Sequence, residues 1–326
     1  MVYETFLEHV RQLLQQHLGD GCTFTIHKIP RNNGKTMDGL SILMPGVQMA
    51  PTVFLNPYYD QFCEGLSMDD VIKDILELFY NNPTPTCITS KQMAQFDLLE
   101  EKIMFKLIHC ASNQELLQDI PYIPYLDLAI VFYLFLERNA TGQMTALIHN
   151  EHMALWKVKE KDLLALALEN TPRTFPPEIK SISEVMKDMV RTHFDQEYGK
   201  PIEEEDIDEL FDDPEARLPL YVLTNEVGLN GAGCIIYRDV LKNFADSLGK
   251  DLVILPSSIH EVLLTPNEPG ISYEELSSLV TCINENEVAP EDQLSNQVYL
   301  YSRATDRLRL ATWVGEHMGR SGKYRS

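Results

Sequence analysis

The stretch PLYVLTNEVGLNGAGCIIYRDVLKNFADSLGKDLVILPSSIHEVLLTP, residues 219–266, decides the fold class. Residues 220–224 and 233–237 are short runs rich in strand-forming side chains, and EVGLNGAG between them is rich in turn residues, so the three together predict a hairpin. From Tyr237 the period lengthens. Val240, Leu241, Phe244, Ala245 and Leu248 share one helical face, and Gly249 stands where a C-terminal cap belongs. Phe244, at the centre of that face, is expected in the core, and Asp246 in solvent. Residues 252–255 and 259–264 form a second strand pair about the Pro256-Ser257-Ser258 turn. Ser272 and Glu275 then make a capping box opening a helix with Leu276, Leu279, Val280 and Ile283 on one side. Hairpins joined to helices, with no repeated βαβ crossover, give an α+β class: antiparallel hairpins packed with amphipathic helices in two or three closely packed units.

The same grammar runs outward from this stretch. Phe6, Leu7, Val10, Leu13, Leu14 and Leu18 mark a first helix stopped by Gly19, and residues 22–29, 40–44 and 52–55 read as strands. Ser67 caps a helix carrying Val71, Ile72, Ile75, Leu78 and Phe79. Residues 127–136 and 143–149 form a long hairpin about ERNATG. A helix carrying Leu163, Leu164, Ala167 and Leu168 stops before Pro172. Ser181 and Glu184 make another capping box, leading the stripe Ile182, Val185, Met186, Met189 and Val190. The expected division is an N-terminal helix–strand–helix unit (1–85), a middle α+β unit (86–197), an acidic connector (198–217), a C-terminal hairpin–helix–hairpin–helix unit (218–312) and a polar tail (313–326).

The 326 residues carry a formal net charge of −22, which opposes a nucleic-acid backbone or an anionic membrane surface as the main partner. No apolar run approaches the ~18 residues of a membrane span. The opening MVYETFLEHVRQLL lacks a basic segment followed by an apolar core, so no secretory signal is expected. Cys22, Cys63, Cys87, Cys110, Cys234 and Cys282 are scattered without a C-x-x-C pair, which suits reduced thiols in a cytoplasmic protein.

Four groups invite a chemical role, and each has a simpler explanation. Gly228, Gly231 and Gly233 follow a strand, but a phosphate loop must feed a helix and is followed by G-K-[ST], which is absent. His149 and His152 have a spacing that suits a metal on a helical turn, yet no third ligand accompanies them; His149 ending a strand and Asn150 capping a short helix accounts for both. Ser257, Ser258, His260 and Glu261 place a hydroxyl, an imidazole and a carboxylate close in sequence. No nucleophile elbow accompanies them, and along a strand His260 and Glu261 would point to opposite faces. The acidic run lacks EF-hand spacing. No catalytic residue, metal ligand or cofactor is assigned, and Asn225 and His260 remain as the candidate binding residues.

The segments NQELL, IPYIPYLDLAIVFY, IHNEHMALW, LALENTPR, PLYVLTN and LVILPSSIHEVLL resemble a family of Firmicutes proteins catalogued as domain of unknown function 5688. The order hairpin, helix, ILPSSIHEVLL and YLYSR is more distantly similar to the YtpQ-like family. The resemblance implies a cytoplasmic bacterial protein and transfers no catalytic motif. The expected function is a protein-binding or regulatory module without catalysis of its own, contacting another protein through sheet faces or edges. An enzyme whose site gathers dispersed polar residues, His260 and Asn225 among them, is the alternative, and a structural subunit of a homo-oligomer is a third.

Overall fold

The computed structural model describes residues 1–19, 22–43, 52–81, 90–139, 142–198 and 219–311. Its helices and antiparallel sheets make it an α+β protein. The chain groups into two compact units, each discontinuous in sequence. The first comprises Met1–Met104, Ser112–Pro121 and Phe132–Leu166, and the second Phe105–Ala111, Tyr122–Val131 and Ala167–Ser326. The acidic connector from 199 on, Cys87, the PTPT stretch and the tail lie outside the described residues.

The first unit begins with α1 (Tyr3–Leu18), then the antiparallel strands β1 (Thr23–Pro30), β2 (Thr36–Leu43) and β3 (Thr52–Phe54), in that spatial order. α2 (Asn56–Glu64) and α3 (Met68–Asn81) follow. The apolar stripe of α1 meets the sheet and α3 in a core of Phe6, Val10, Leu14, Leu40, Ile42, Leu55, Val71, Ile72 and Ile75. Each such side chain contributes about 1.5–3 kcal/mol on burial. Ser67 caps α3 as its sequence requires, its Oγ accepting the Asp70 N–H at 3.1 Å. The sequence gives no warning of α2, because Asn56-Pro57 resembles a strand stop. Pro57 instead occupies the first turn, where its missing N–H costs nothing.

Two short helices, α4 (Ser90–Met93) and α5 (Leu116–Asp119), flank β4 (Ile103–His109). β5 (Tyr122–Tyr125), β6 (Leu128–Asn139) and β7 (Gly142–Leu147) complete a four-stranded sheet ordered β4-β6-β5, with β7 also on β6. β5 contains Pro124, which hides it in the sequence and which an edge strand tolerates. α6 (Asn150–Trp156) and α7 (Glu160–Thr174) follow, α7 continuing past Pro172 rather than stopping before it.

The second unit is built on six antiparallel strands ordered β13-β12-β10-β11-β9-β8. They are β8 (Pro177–Ser181), β9 (Tyr221–Asn225), β10 (Leu252–Leu255), β11 (Val262–Pro266), β12 (Tyr299–Ser302) and β13 (Arg307–Leu310). Its helices are α8 (Ile182–Tyr198), α9 (Val240–Leu248) and α10 (Tyr273–Asn286). The expected capping box forms in full at Ser181, and at Ser272 its serine half forms. Ser181 Oγ accepts the Glu184 N–H at 3.2 Å while Glu184 accepts the Ser181 N–H at 2.7 Å, and Ser272 Oγ accepts the Glu275 N–H at 3.2 Å.

Three expectations for this unit need correction. Residues 231–236 form a 3₁₀ turn instead of the second strand of a hairpin, and β9 pairs with β8 and β11. Asn230 and Gly228 both have positive φ, 55° and 70°, which swings the chain out of the sheet plane. Gly231 lets the backbone close on Thr224 and the His260 carbonyl, where any Cβ would collide. Second, β11 starts at Val262, so residues 257–261 are an irregular bend and the opposite-face argument for His260 and Glu261 lapses. Third, Phe244 is half-buried, its ring edge-on to Tyr221 at 4.9 Å, while Leu241 and Ala245 are the buried members of the α9 face. Asp246 is exposed as expected, though paired with Lys242 and Arg303.

Candidate functional site

Glu178 lies opposite Thr224 and Lys180 opposite Val222 in the β8–β9 register. Strand alternation puts these four side chains on one face of the sheet. Farther along the same face, α10 packs over β10 and β12 in a core of Val253, Leu255, Val280, Val298, Leu300 and Ala311. Over β8 and β9 the cover is α8, which turns Val185, Asp188, Met189, Thr192 and His193 toward the sheet at helical spacing. Between them lies a groove of about 490 Å³, within the range of ligand pockets. Lys180 Nζ sits 3.1 Å from Glu178 Oε1 and 3.2 Å from Asp188 Oδ2, and Arg191 reaches Asp188 at 2.7 Å. These bonds raise the Lys180 pKa and lower that of Asp188. Both shifts favour the charged forms of Lys180 and Asp188 at neutral pH.

The apolar stripe of α8 is legible in the sequence; its exposure is not. None of its described side chains is buried, with Met186 45% and Met189 67% exposed. β8 is the sheet edge, but it is blunted against strand addition. Ile182 N–H bonds to Leu220 C=O and Glu226 N–H to Pro176 C=O, so residues 177, 179 and 181 point their backbone groups outward. Pro177 has no N–H, and the Ser181 N–H is taken by Glu184.

The structure does bring the two candidate binding residues, Asn225 and His260, to one place, and there both are occupied. Asn225 is buried at the end of β9. Its Oδ1 accepts the Val227 N–H at 3.0 Å and its Nδ2 donates to the Leu229 carbonyl at 2.8 Å, bracing the following loop. His260 Nδ1 accepts the Asn230 N–H at 3.3 Å, and Nε2 lies 3.3 Å from Asp292 Oδ1. These partners assign the Nε2–H tautomer and engage both ring nitrogens within the protein. Ser258 Oγ accepts the His260 N–H, and Thr224 Oγ1 donates to the His260 carbonyl at 2.8 Å. Burial raises the pKa of Glu261 against the opposing pull of His260 and Ser258.

A further polar cluster centres on Asp127. Its Oδ2 accepts from Ser295 Oγ at 2.6 Å and its Oδ1 from the buried Tyr299 hydroxyl at 2.5 Å, with His109 Nε2 4.0 Å away. Leu126, beside it in the β5–β6 turn, has φ 58°, a strained conformation for leucine that these bonds help to hold. Burial and the Asp127 charge raise the Cys110 pKa, and burial pushes Cys234 up to about 12. Neither thiol is activated as a nucleophile. An aspartate entering the apolar run 126–136 was the one sequence signal for this cluster.

His149, not Asn150, caps α6, in a reciprocal arrangement: the His149 side chain takes the His152 N–H, and His152 Nδ1 takes the His149 N–H at 2.9 Å. His152 also stacks on Trp156, ring centroids 5.3 Å apart. Burial, then the His149 charge, lowers the His152 pKa. The unfolded chain therefore binds more protons below the ordinary histidine value of about 6.5. Stability from this cap is complete above that pH and is lost as pH falls through the depressed folded value. Hydrogen exchange of α6 amides is expected to accelerate on acidification below about pH 6.5, after correction for intrinsic rates, and His152→Gln is expected to remove that pH dependence.

Among the described residues no helix is long and apolar enough to cross a membrane, and no group of three or more His, Cys, Asp or Glu side chains is placed to hold a metal ion. Neither the curated proteins nor the solved structures contain a significant match to the chain. A family model does match, over residues 3–303, and its description is a family of unknown function, DUF5688. By that match, which spans most of its length, the chain belongs to the DUF5688 family.

Proposed function

We propose that this protein is a non-catalytic binding module that takes a basic, apolar-anchored segment of another protein into the groove between α8 and β8–β9. The observation carrying this reading is the open apolar face of α8, a long amphipathic helix with no buried side chain among those described. Apolar surface left open at a groove marks an interaction site. Flexible methionines at the rim suit it to a peptide side chain. The net charge of −22 favours a cationic partner and repels nucleic acid. The blunted β8 edge favours side-chain docking in the groove over strand addition. The engaged nitrogens of His260 and the raised thiol pKa values count against the enzyme alternative.

Affinity capture from the native host tests the proposal. A basic protein retained by the wild-type chain and lost on Met189→Glu, with the variant's melting temperature unchanged, is the expected result. Binding is expected to weaken at least tenfold. A chain that retains nothing, or that retains the same proteins when Met189 is charged, contradicts it.

A further inference from the structure

We propose that His260 is a proton-operated catch on the 226–231 loop, and that through Thr224 it regulates the groove between α8 and β8–β9; the second step rests on the groove being a binding site. The catch follows from hydrogen-bond direction. Nδ1 can accept the Asn230 N–H only while it is unprotonated, because the imidazolium carries a hydrogen on both nitrogens. On protonation, two N–H groups face each other and the bond to Asn230 is lost. The Nε2–Asp292 pair survives and becomes a charged one.

The groups facing the ring are of two kinds. Asp292, from the turn after α10, and Glu261, next in the chain, are the acidic groups beside it. At the other nitrogen the Asn230 N–H donates to Nδ1. Glu226, on the loop itself, is exposed. Asn225 braces the loop at Val227 and Leu229, while among the described residues the Asn230 N–H is held by the ring alone; Asn230 has a positive φ of 55°, and the exposed Leu229 sits at the loop's tip.

The connection to the groove is short. Thr224 lines it and donates its hydroxyl to the His260 carbonyl at 2.8 Å. Gly231, at the end of the loop, is wedged against that same hydroxyl and carbonyl. Release of the loop therefore frees a groove-lining side chain from its neighbour.

The test uses the 326-residue chain without any partner, so it is readable whether or not the groove binds protein. ¹⁵N NMR of the His260 ring reports its tautomer and protonation, and hydrogen exchange reports the Asn230 amide. The neutral ring is expected as the Nε2–H tautomer, and Asn230 protection is expected to fall about fivefold as the ring protonates, the equivalent of one neutral hydrogen bond. His260→Gln is expected to hold Asn230 protection constant over the same pH range. The Nδ1–H tautomer, or Asn230 protection that ignores the ring's protonation, overturns the catch, and both are read on the wild-type chain. If the catch holds but partner affinity does not follow His260 protonation, the link through Thr224 is wrong.

Discussion

Asp127→Ala is expected to destabilise the second unit by about 3–5 kcal/mol, since it removes two hydrogen bonds to a charged acceptor, each worth roughly 1.5–3 kcal/mol. The loss is large because the partners cannot turn to water. Tyr299 is fully buried and Ser295 nearly so, and both hydroxyls would lose their charged acceptor. Asp127 also ties the β5–β6 turn, with its strained Leu126, to the sheet through Tyr299 on β12. Tyr299→Phe removes only one of the bonds and is expected to cost about half as much. The double variant should cost less than the sum, because both single changes delete the same bond. Urea denaturation with hydrogen exchange at β12 separates these outcomes. A loss below about 1 kcal/mol for Asp127→Ala would show the cluster to be ornamental.

Gly231→Ala is expected to cost about 3 kcal/mol, the upper part of the range for overpacking. A Cβ here meets the Thr224 hydroxyl, the His260 carbonyl oxygen and the Asn225 nitrogen, and two of those three are backbone atoms that cannot swing aside. Gly228→Ala is the control: its Cβ would enter open space, so only the strain of its positive φ is added, on the order of 1 kcal/mol. Equal losses for the two variants, measured by chemical denaturation, would mean that the loop is not wedged between β9 and the 257–261 bend.

The parts of this fold that the sequence discloses are those where one local rule dominates. The stripes of α1 and α3, the capping box at Ser181, the serine cap at Ser272 and the apolar strand β10 each follow from periodicity or capping, whereas Leu279, expected on the packed face of α10, is exposed. The parts it hides are those where a breaker residue is accommodated by context. Pro57 begins a helix, Pro124 lies in an edge strand, and Pro177 opens β8. The 3₁₀ turn at 231–236 shows the converse. Strand-forming Ile235 and Ile236 are overruled by the left-handed Asn230 and by the close approach that Gly231 permits.

The candidate sites divide in the same way. Asn225 and His260 stood out as polar residues near turns, and the structure brings them together, yet their hydrogen bonds serve the loop. The Asp127 cluster joins partners as far apart in sequence as Tyr299, which no local pattern reveals. The groove depended on knowing that β8 exists and that it lies beside β9. Without that strand, the methionines of α8 read as core.

The central claim is that the face of α8 carrying Met186 and Met189 is the surface that meets a partner protein. The direct measurement is the ¹³C-methyl spectrum of these two methionines, recorded with a soluble paramagnetic agent, in the free chain and in complex with the captured protein. Both methyls, exposed in the free chain, are predicted to shift and to lose most of their paramagnetic broadening on binding. A complex that forms while both methyls stay equally accessible to the agent would contradict the account.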